Sequence, residues 1–135
     1  MSKTTEILEL GYQQLKKIGW CQKHFAIDTE GHPHSIYDED VSAFSAFCSL
    51  GSLRMANNRV MGWCDESDPM YINPSWTSAR MLLRKAIFGM VEMVEPGIYE
   101  GHGGSIGKWN DTNGRTKEEV LAVWKRAIDL SKESN

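Results

Sequence analysis

The chain has 135 residues, of which 41% are apolar and 24% charged, and its formal net charge is −3. This length predicts one globular domain over residues 1–135, and the composition excludes a disordered chain. A chain with this charge lacks the basic surplus that drives nonspecific nucleic-acid binding. No apolar run approaches the ~20 residues needed to cross a bilayer.

The first half of the chain predicts one helix and one hairpin. Apolar residues recur at helical spacing over residues 4–18, and Gly19 is expected to end that helix. Residues 24–27 and 34–37 are rich in strand-forming side chains and flank turn residues, so they predict a small β-hairpin.

Two further helices are predicted in the middle of the chain. A helix over residues 41–56 is expected to stop at Asn57-Asn58, and residues 57–73 show no clear period. Asn73-Pro74 is typical of a helix start, with asparagine as the cap and proline in the first turn. It opens a strongly periodic stretch over residues 74–94, whose wide apolar surface suits a central helix or one that meets a partner.

A glycine-rich stretch, residues 101–107, precedes Trp109 and predicts a flexible loop. Thr116-Lys117-Glu118-Glu119 has the capping-box pattern and begins a helix over residues 116–131. We expect Trp109 to pack beside this last helix and to connect the two halves of the chain. The predicted fold is mainly α, with about four helices around one core and a small β-hairpin.

Cysteine and histidine residues give no clear metal or nucleophile motif. Three widely spaced cysteines are typical of free thiols in a reducing cytoplasm. Cys21 and His24 could contribute to a metal site with Cys48, Cys64 or a nearby histidine, but no second matching pair exists, so we predict neither metal nor cofactor. A catalytic Cys21 would also need a base and an electropositive pocket.

Three short motifs resemble those of a family of small uncharacterised bacterial and phage proteins. They are Gly19-Trp20-Cys21-Gln22, Cys48-Ser49-Leu50-Gly51, and Trp109-Asn110-Asp111 before the capped last helix. The family brings no activity to transfer. The resemblance implies an accessory protein of the cytoplasm, which is the host cytoplasm if a phage encodes it.

Five tryptophans and several scattered arginines favour a pocket for a small anionic, nucleotide-like ligand, because aromatic faces stack on bases and arginine grips phosphate. The competing interpretation is that the tryptophans pack in the core and that Asn110 and Asp111 bond local backbone. The motif positions and the basic residues together give these predicted ligand residues: Trp20, Gln22, Arg80, Arg84, His102, Lys108, Trp109, Asn110, Asp111 and Arg115.

Binding without catalysis is the leading functional hypothesis. One alternative is a protein-interaction module that contacts a host protein or a second copy through residues 74–94. The other is a small hydrolase that uses His102 and Asp111, although no complete nucleophile, base and orienting group is visible.

Overall fold

The computed structural model describes residues 1–34, 41–62, 73–89 and 105–133. These ranges contain five α-helices and one small antiparallel sheet, so the predicted mainly α fold is confirmed. The helices are α1 (Lys3–Gln13), α2 (Ser49–Met61), α3 (Pro74–Phe88), α4 (Ser105–Asn110) and α5 (Lys117–Glu133), and the strands are β1 (Ala26–Ile27) and β2 (Ala46–Phe47). Among the described helices, none is long and apolar enough to span a membrane.

Helix α1 is the element around which the others pack. It contacts α2, α3 and α5, while α3 also packs along α5. It continues into one π-helical turn (Gln14–Ile18), and there the Gly19 N–H donates to the Gln14 carbonyl oxygen at 3.2 Å. The fully buried Gln14 side chain donates to the Ser52 carbonyl and hydroxyl oxygens, each at 2.9 Å, and so joins the turn to α2.

Glycine permits two close approaches in this core. A Cβ on Gly11 of α1 would collide with the indole of Trp124, which is completely buried. A Cβ on Gly51 of α2 would collide with the backbone carbonyl of Phe25. Every residue from 49 to 58 is buried, so α2 is covered on all sides and has little room to shift.

Several predicted helix boundaries are confirmed. Helix α1 and its π-helical turn cover the predicted 4–18 stretch, and α5 covers the predicted last helix. The Asn73 side chain accepts from the Trp76 N–H at 2.8 Å, with Pro74 in the first turn. Glu119 accepts from the Thr116 N–H at 3.0 Å, and Thr116 Oγ1 accepts in return, which completes the capping box.

Other boundaries differ from the prediction. Helix α2 begins at Ser49, because Ala46–Phe47 is a strand, and it runs through Asn57-Asn58 to Gly62, whose φ of 107° ends it. Helix α3 ends at Phe88 because Gly89 adopts a left-handed conformation. Ser105–Asn110 is a helix where a loop was expected. Residues 90–104 lie outside the described ranges.

Strand β1 pairs with β2 in antiparallel register, with Ala26 opposite Phe47 and Ile27 opposite Ala46. The predicted partner of β1 in the hairpin is residues 34–37. At its start, Ile27 and Pro33 form an isolated antiparallel bridge, and the His34 N–H donates to the Ala26 carbonyl at 3.0 Å. Residues 35–37 lie outside the described ranges. On the other edge of β2, Trp20 pairs with Phe47 in parallel, so β2 lies between two segments of the N-terminal half.

The turn between β1 and His34 is organised by Asp28. Its carboxylate accepts from the His34 ring at 2.9 Å, from the His32 N–H at 3.0 Å and from the Glu30 N–H at 2.9 Å. These bonds, the one with His34 first, lower the pKa of Asp28 to about 2. The carboxylate therefore stays charged and fixes the turn.

Gly51→Ala should destabilise the fold, although alanine normally favours a helix over glycine. The new methyl group would displace the Phe25 backbone, and such overpacking costs about 1–3 kcal/mol. Urea unfolding should show this loss, while Ser78→Ala on the exposed side of α3 should stay within about 0.5 kcal/mol of the wild type. An unchanged or raised stability for Gly51→Ala would contradict the close approach.

Candidate functional site

The Asn110 side chain is the centre of a buried polar network. It is completely inaccessible to solvent. Its Oδ1 accepts from Trp20 Nε1 at 2.7 Å, from the Ser49 N–H at 2.9 Å and from Ser49 Oγ at 2.8 Å. Its Nδ2 donates to the Cys21 carbonyl at 3.1 Å and to Asp111 Oδ1 at 3.0 Å. Both donors and the acceptor of the amide are therefore used inside the protein.

Neighbouring residues extend the same network to the surface. Gln22 Nε2 donates to the backbone carbonyls of Asn110 at 2.9 Å and Thr112 at 3.0 Å. The Lys23 N–H donates to Asp111 Oδ1 at 2.8 Å. Lys23 has a φ of 73°, a conformation that few residues other than glycine adopt, and this bond helps to hold it there.

The network also satisfies the start of α2. The first amides of a helix have no partner within the helix. Here the Ser49 N–H donates to Asn110, and the Gly51 N–H donates to Cys48 Sγ at 3.2 Å. A side chain 61 residues further along the chain thus caps α2, so the three motifs found in the sequence meet at one place.

Two thiols border this network and are held in their protonated form near neutral pH. Burial, followed by the negative charge of Asp111, raises the pKa of Cys21 to about 12. Burial also raises the pKa of the fully enclosed Cys48 to about 12. A thiol attacks as its thiolate, so neither is activated near neutral pH. Among the described residues, no group of three or more acidic, histidine or cysteine side chains could hold a metal ion.

The end of α4 presents a second arrangement on its outer side. The Arg115 guanidinium lies 4.3 Å from the centre of the Trp109 indole ring. Its Nε donates to the Trp109 carbonyl at 3.0 Å, and its Nη1 donates to Glu119 at 3.0 Å. Trp109 is half-buried against the core, whereas Lys108 is exposed. The Arg115 cation is thus partly accessible, is held by two hydrogen bonds and lies over an aromatic ring.

The predicted ligand residues thus fall into separate groups. Trp20, Gln22, Asn110 and Asp111 form the internal network, in which Asn110 joins the two halves of the chain, and the neighbouring Trp109 packs partly buried against the core. Arg80 and the buried Arg84 lie on another element, α3. His102 lies outside the described residues.

Sequence reasoning missed the contributions of Ser49, Lys23 and the Cys21 carbonyl. Ser49 could have been suspected, because it follows the cap of α2. Nothing in the local pattern pairs it with an amide so distant in the chain.

An open groove between α1 and α5 is a further concave surface, with a volume of about 570 Å³. Apolar side chains such as Leu10, Tyr12 and Ile128 line it, and a Glu9–Lys132 ion pair of 3.2 Å borders it. It contains none of the predicted ligand residues, so it is separate from the Asn110 network.

Comparison with known families identifies one match. The model of a family of unknown function, DUF6197, matches residues 1–130. The chain belongs to this family. Comparisons with curated proteins and with solved structures find no match. The three motifs lie within the span that matches the DUF6197 model, and in this member they form one hydrogen-bonded network.

Asn110→Ala should destabilise this DUF6197 protein strongly. Trp20 Nε1 and both Ser49 donors would lose their acceptor, and a buried unsatisfied group costs about 1–3 kcal/mol, so we expect a loss of about 3 kcal/mol or more. Urea unfolding measures it. Asn113→Ala, the same change at an exposed position three residues away, should cost less than about 0.5 kcal/mol. Equal effects of the two substitutions would contradict the network's role.

Proposed function

We propose that the protein binds a small anionic, nucleotide-like ligand without chemical conversion, and so sequesters it. The proposed binding surface, called here the cationic surface, consists of Lys23, Lys108, Trp109 and Arg115. The observation that supports it most is the Arg115 guanidinium 4.3 Å from the centre of the Trp109 indole ring, at the end of the helix that carries the exposed Lys108.

Local charge supports an anionic ligand. The Lys117 ammonium lies 3.4 Å from the Lys16 carbonyl, which brings the end of the π-helical turn next to the start of α5. Residues 16–23, 108–111 and 115–119, which contain this junction and the cationic surface, carry more basic than acidic side chains, although the whole chain carries a net charge of −3. The basic residues are Lys16, Lys17, Lys23, Lys108, Arg115 and Lys117, and the acidic ones are Asp111, Glu118 and Glu119.

The shape of the Arg115–Trp109 pair favours a ligand with both a phosphate and a planar ring. The Arg115 guanidinium over the Trp109 indole is held in place by its bonds to the Trp109 carbonyl and to Glu119, and arginine recognises phosphate through directed N–H groups. Its plane also stacks on aromatic rings. Lys108, in the last turn of α4, would add a flexible charge to the same ligand.

The Asn110 network has a positioning role in this proposal. Asn110 is engaged on all sides and is not offered to a ligand. It fixes the end of α4, which carries Lys108 and Trp109, and it lies beside the Lys23 turn through Asp111. The resemblance to small bacterial and phage proteins supports an accessory role for such a binder.

Lys108→Glu should weaken binding at least tenfold, because it replaces an exposed cation of the cationic surface with an anion. The measurement is a thermal-shift and calorimetric panel of adenosine triphosphate, guanosine monophosphate, cyclic adenosine monophosphate and inorganic phosphate, since a ligand stabilises the folded state that binds it. Lys125→Glu, at an exposed site on the α1–α5 groove, is the matched control and should leave binding unchanged. No stabilisation of the wild type by any of these compounds, or equal losses in both variants, would refute the proposal.

A second candidate function, self-association through α3, has its own supporting observation. Met81 and Phe88 are 37% and 42% exposed, and their spacing of seven residues puts them on one side of the helix. Exposed large apolar side chains on one helix face favour an interface.

Replacing both Met81 and Phe88 with lysine should convert a dimer into a monomer, because charges at these positions would be buried without partners. Multi-angle light scattering measures the molar mass. Met61→Lys, at a similarly exposed methionine (39%) at the end of α2, should leave the dimer intact. A wild type that is monomeric at high concentration would exclude self-association.

A further inference from the structure

Cys21 and Cys48 are brought together by the strand pairing beside the Asn110 network. Trp20 pairs in parallel with Phe47. The Cys21 N–H donates to the Phe47 carbonyl at 2.9 Å, and the Phe47 N–H donates to the Gly19 carbonyl at 3.0 Å. Cys21 follows Trp20 and Cys48 follows Phe47, so the two cysteines are the next pair in the same register.

By the geometry of paired strands, this register predicts the same direction for the two side chains. Successive side chains of paired strands alternate between faces, so residues in register point to one face. Neighbouring strands lie ~4.8 Å apart, which is within the Cα separation of roughly 4.4–6.8 Å that a disulfide spans. Besides burial, the Asp111 carboxylate raises the pKa of both thiols, and Cys21 contributes to the raised pKa of Cys48.

We propose that Cys21 and Cys48 form a redox-active thiol pair that hydrogen peroxide converts into an intramolecular disulfide. Both cysteines are free thiols in the structure. The proposal does not depend on the anionic ligand, because it rests on the pairing of residues 19–21 with residues 47–48 alone.

The two cysteines have different roles in the reaction. Cys21 is partly accessible, whereas Cys48 is completely buried, so peroxide reaches Cys21 first. The Cys21 thiolate attacks one peroxide oxygen, the O–O bond breaks, and hydroxide leaves, which gives a sulfenic acid. The Cys48 sulfur then attacks the Cys21 sulfur, the S–S bond forms and the S–O bond breaks. In total, two thiols and one peroxide give one disulfide and two water molecules.

The environment of the thiols sets the pace of this reaction. Burial and Asp111 disfavour the Cys21 thiolate, so oxidation of the folded protein should be slower than that of an exposed thiol. The disulfide would close a loop that contains β1, the Asp28 turn and β2. A closed loop lowers the conformational entropy of the unfolded chain and so stabilises the folded state. The oxidised protein should therefore melt at a higher temperature than the reduced one.

Peptide mapping of the peroxide-treated folded protein tests the pair directly. The three cysteines fall in separate tryptic peptides, residues 18–23, 24–54 and 60–80. Treatment at mildly alkaline pH, followed by alkylation of the remaining thiols, should remove the mass of two hydrogen atoms and link peptide 18–23 to peptide 24–54. A thiol reductant should reverse both changes, and the melting temperature should be several degrees higher in the oxidised form.

Variants separate this pair from the third cysteine. Cys64→Ser should keep the disulfide, and Cys21→Ser should abolish it. A link between Cys64 and either partner, or conversion of Cys21 to a sulfinic acid without a disulfide, would overturn the proposal. The mapping of the wild type decides the question even if a variant does not fold.

Discussion

The fold depends on the hydrogen bonds that the Asn110 amide makes inside the protein. Its oxygen receives the Trp20 indole N–H and two donors of Ser49, and its nitrogen donates to the Cys21 carbonyl. Burying a polar group costs free energy unless the group forms hydrogen bonds inside the protein. The amide therefore stabilises only the relative placement of these segments in which its bonds form. The end of α4, the start of α2 and the segment after α1 are therefore fixed together.

This constraint gives the polar motif residues a structural role, and the proposed binding surface is formed by their neighbours. Trp109, which precedes Asn110, carries the Arg115 guanidinium on its outer side. Lys23, which follows Gln22, is held in an unusual backbone conformation by Asp111. In the proposed function, residues that turn inward thus orient the outward residues that would bind the ligand.

The sequence predicted those features that depend on neighbouring residues. The capping box of Thr116 and Glu119, the Asn73 cap and the apolar faces of the long helices are local signals, and all are present. The start of α2 was mispredicted because helical spacing of apolar residues continues through a buried strand at Phe47. The Asn110 network could not be derived, since all of its bonds except the one to Asp111 join residues 61 to 90 positions apart, and no local pattern encodes them.

The π-helical turn after α1 has a consequence for how chain length can vary. An α-helix rotates by ~100° per residue, so removing one residue from Gln14–Ile18 would change the phase at which the chain leaves the helix. The indole of Trp20 would then point away from Asn110. Insertions and deletions of one residue should therefore be eliminated from these five residues.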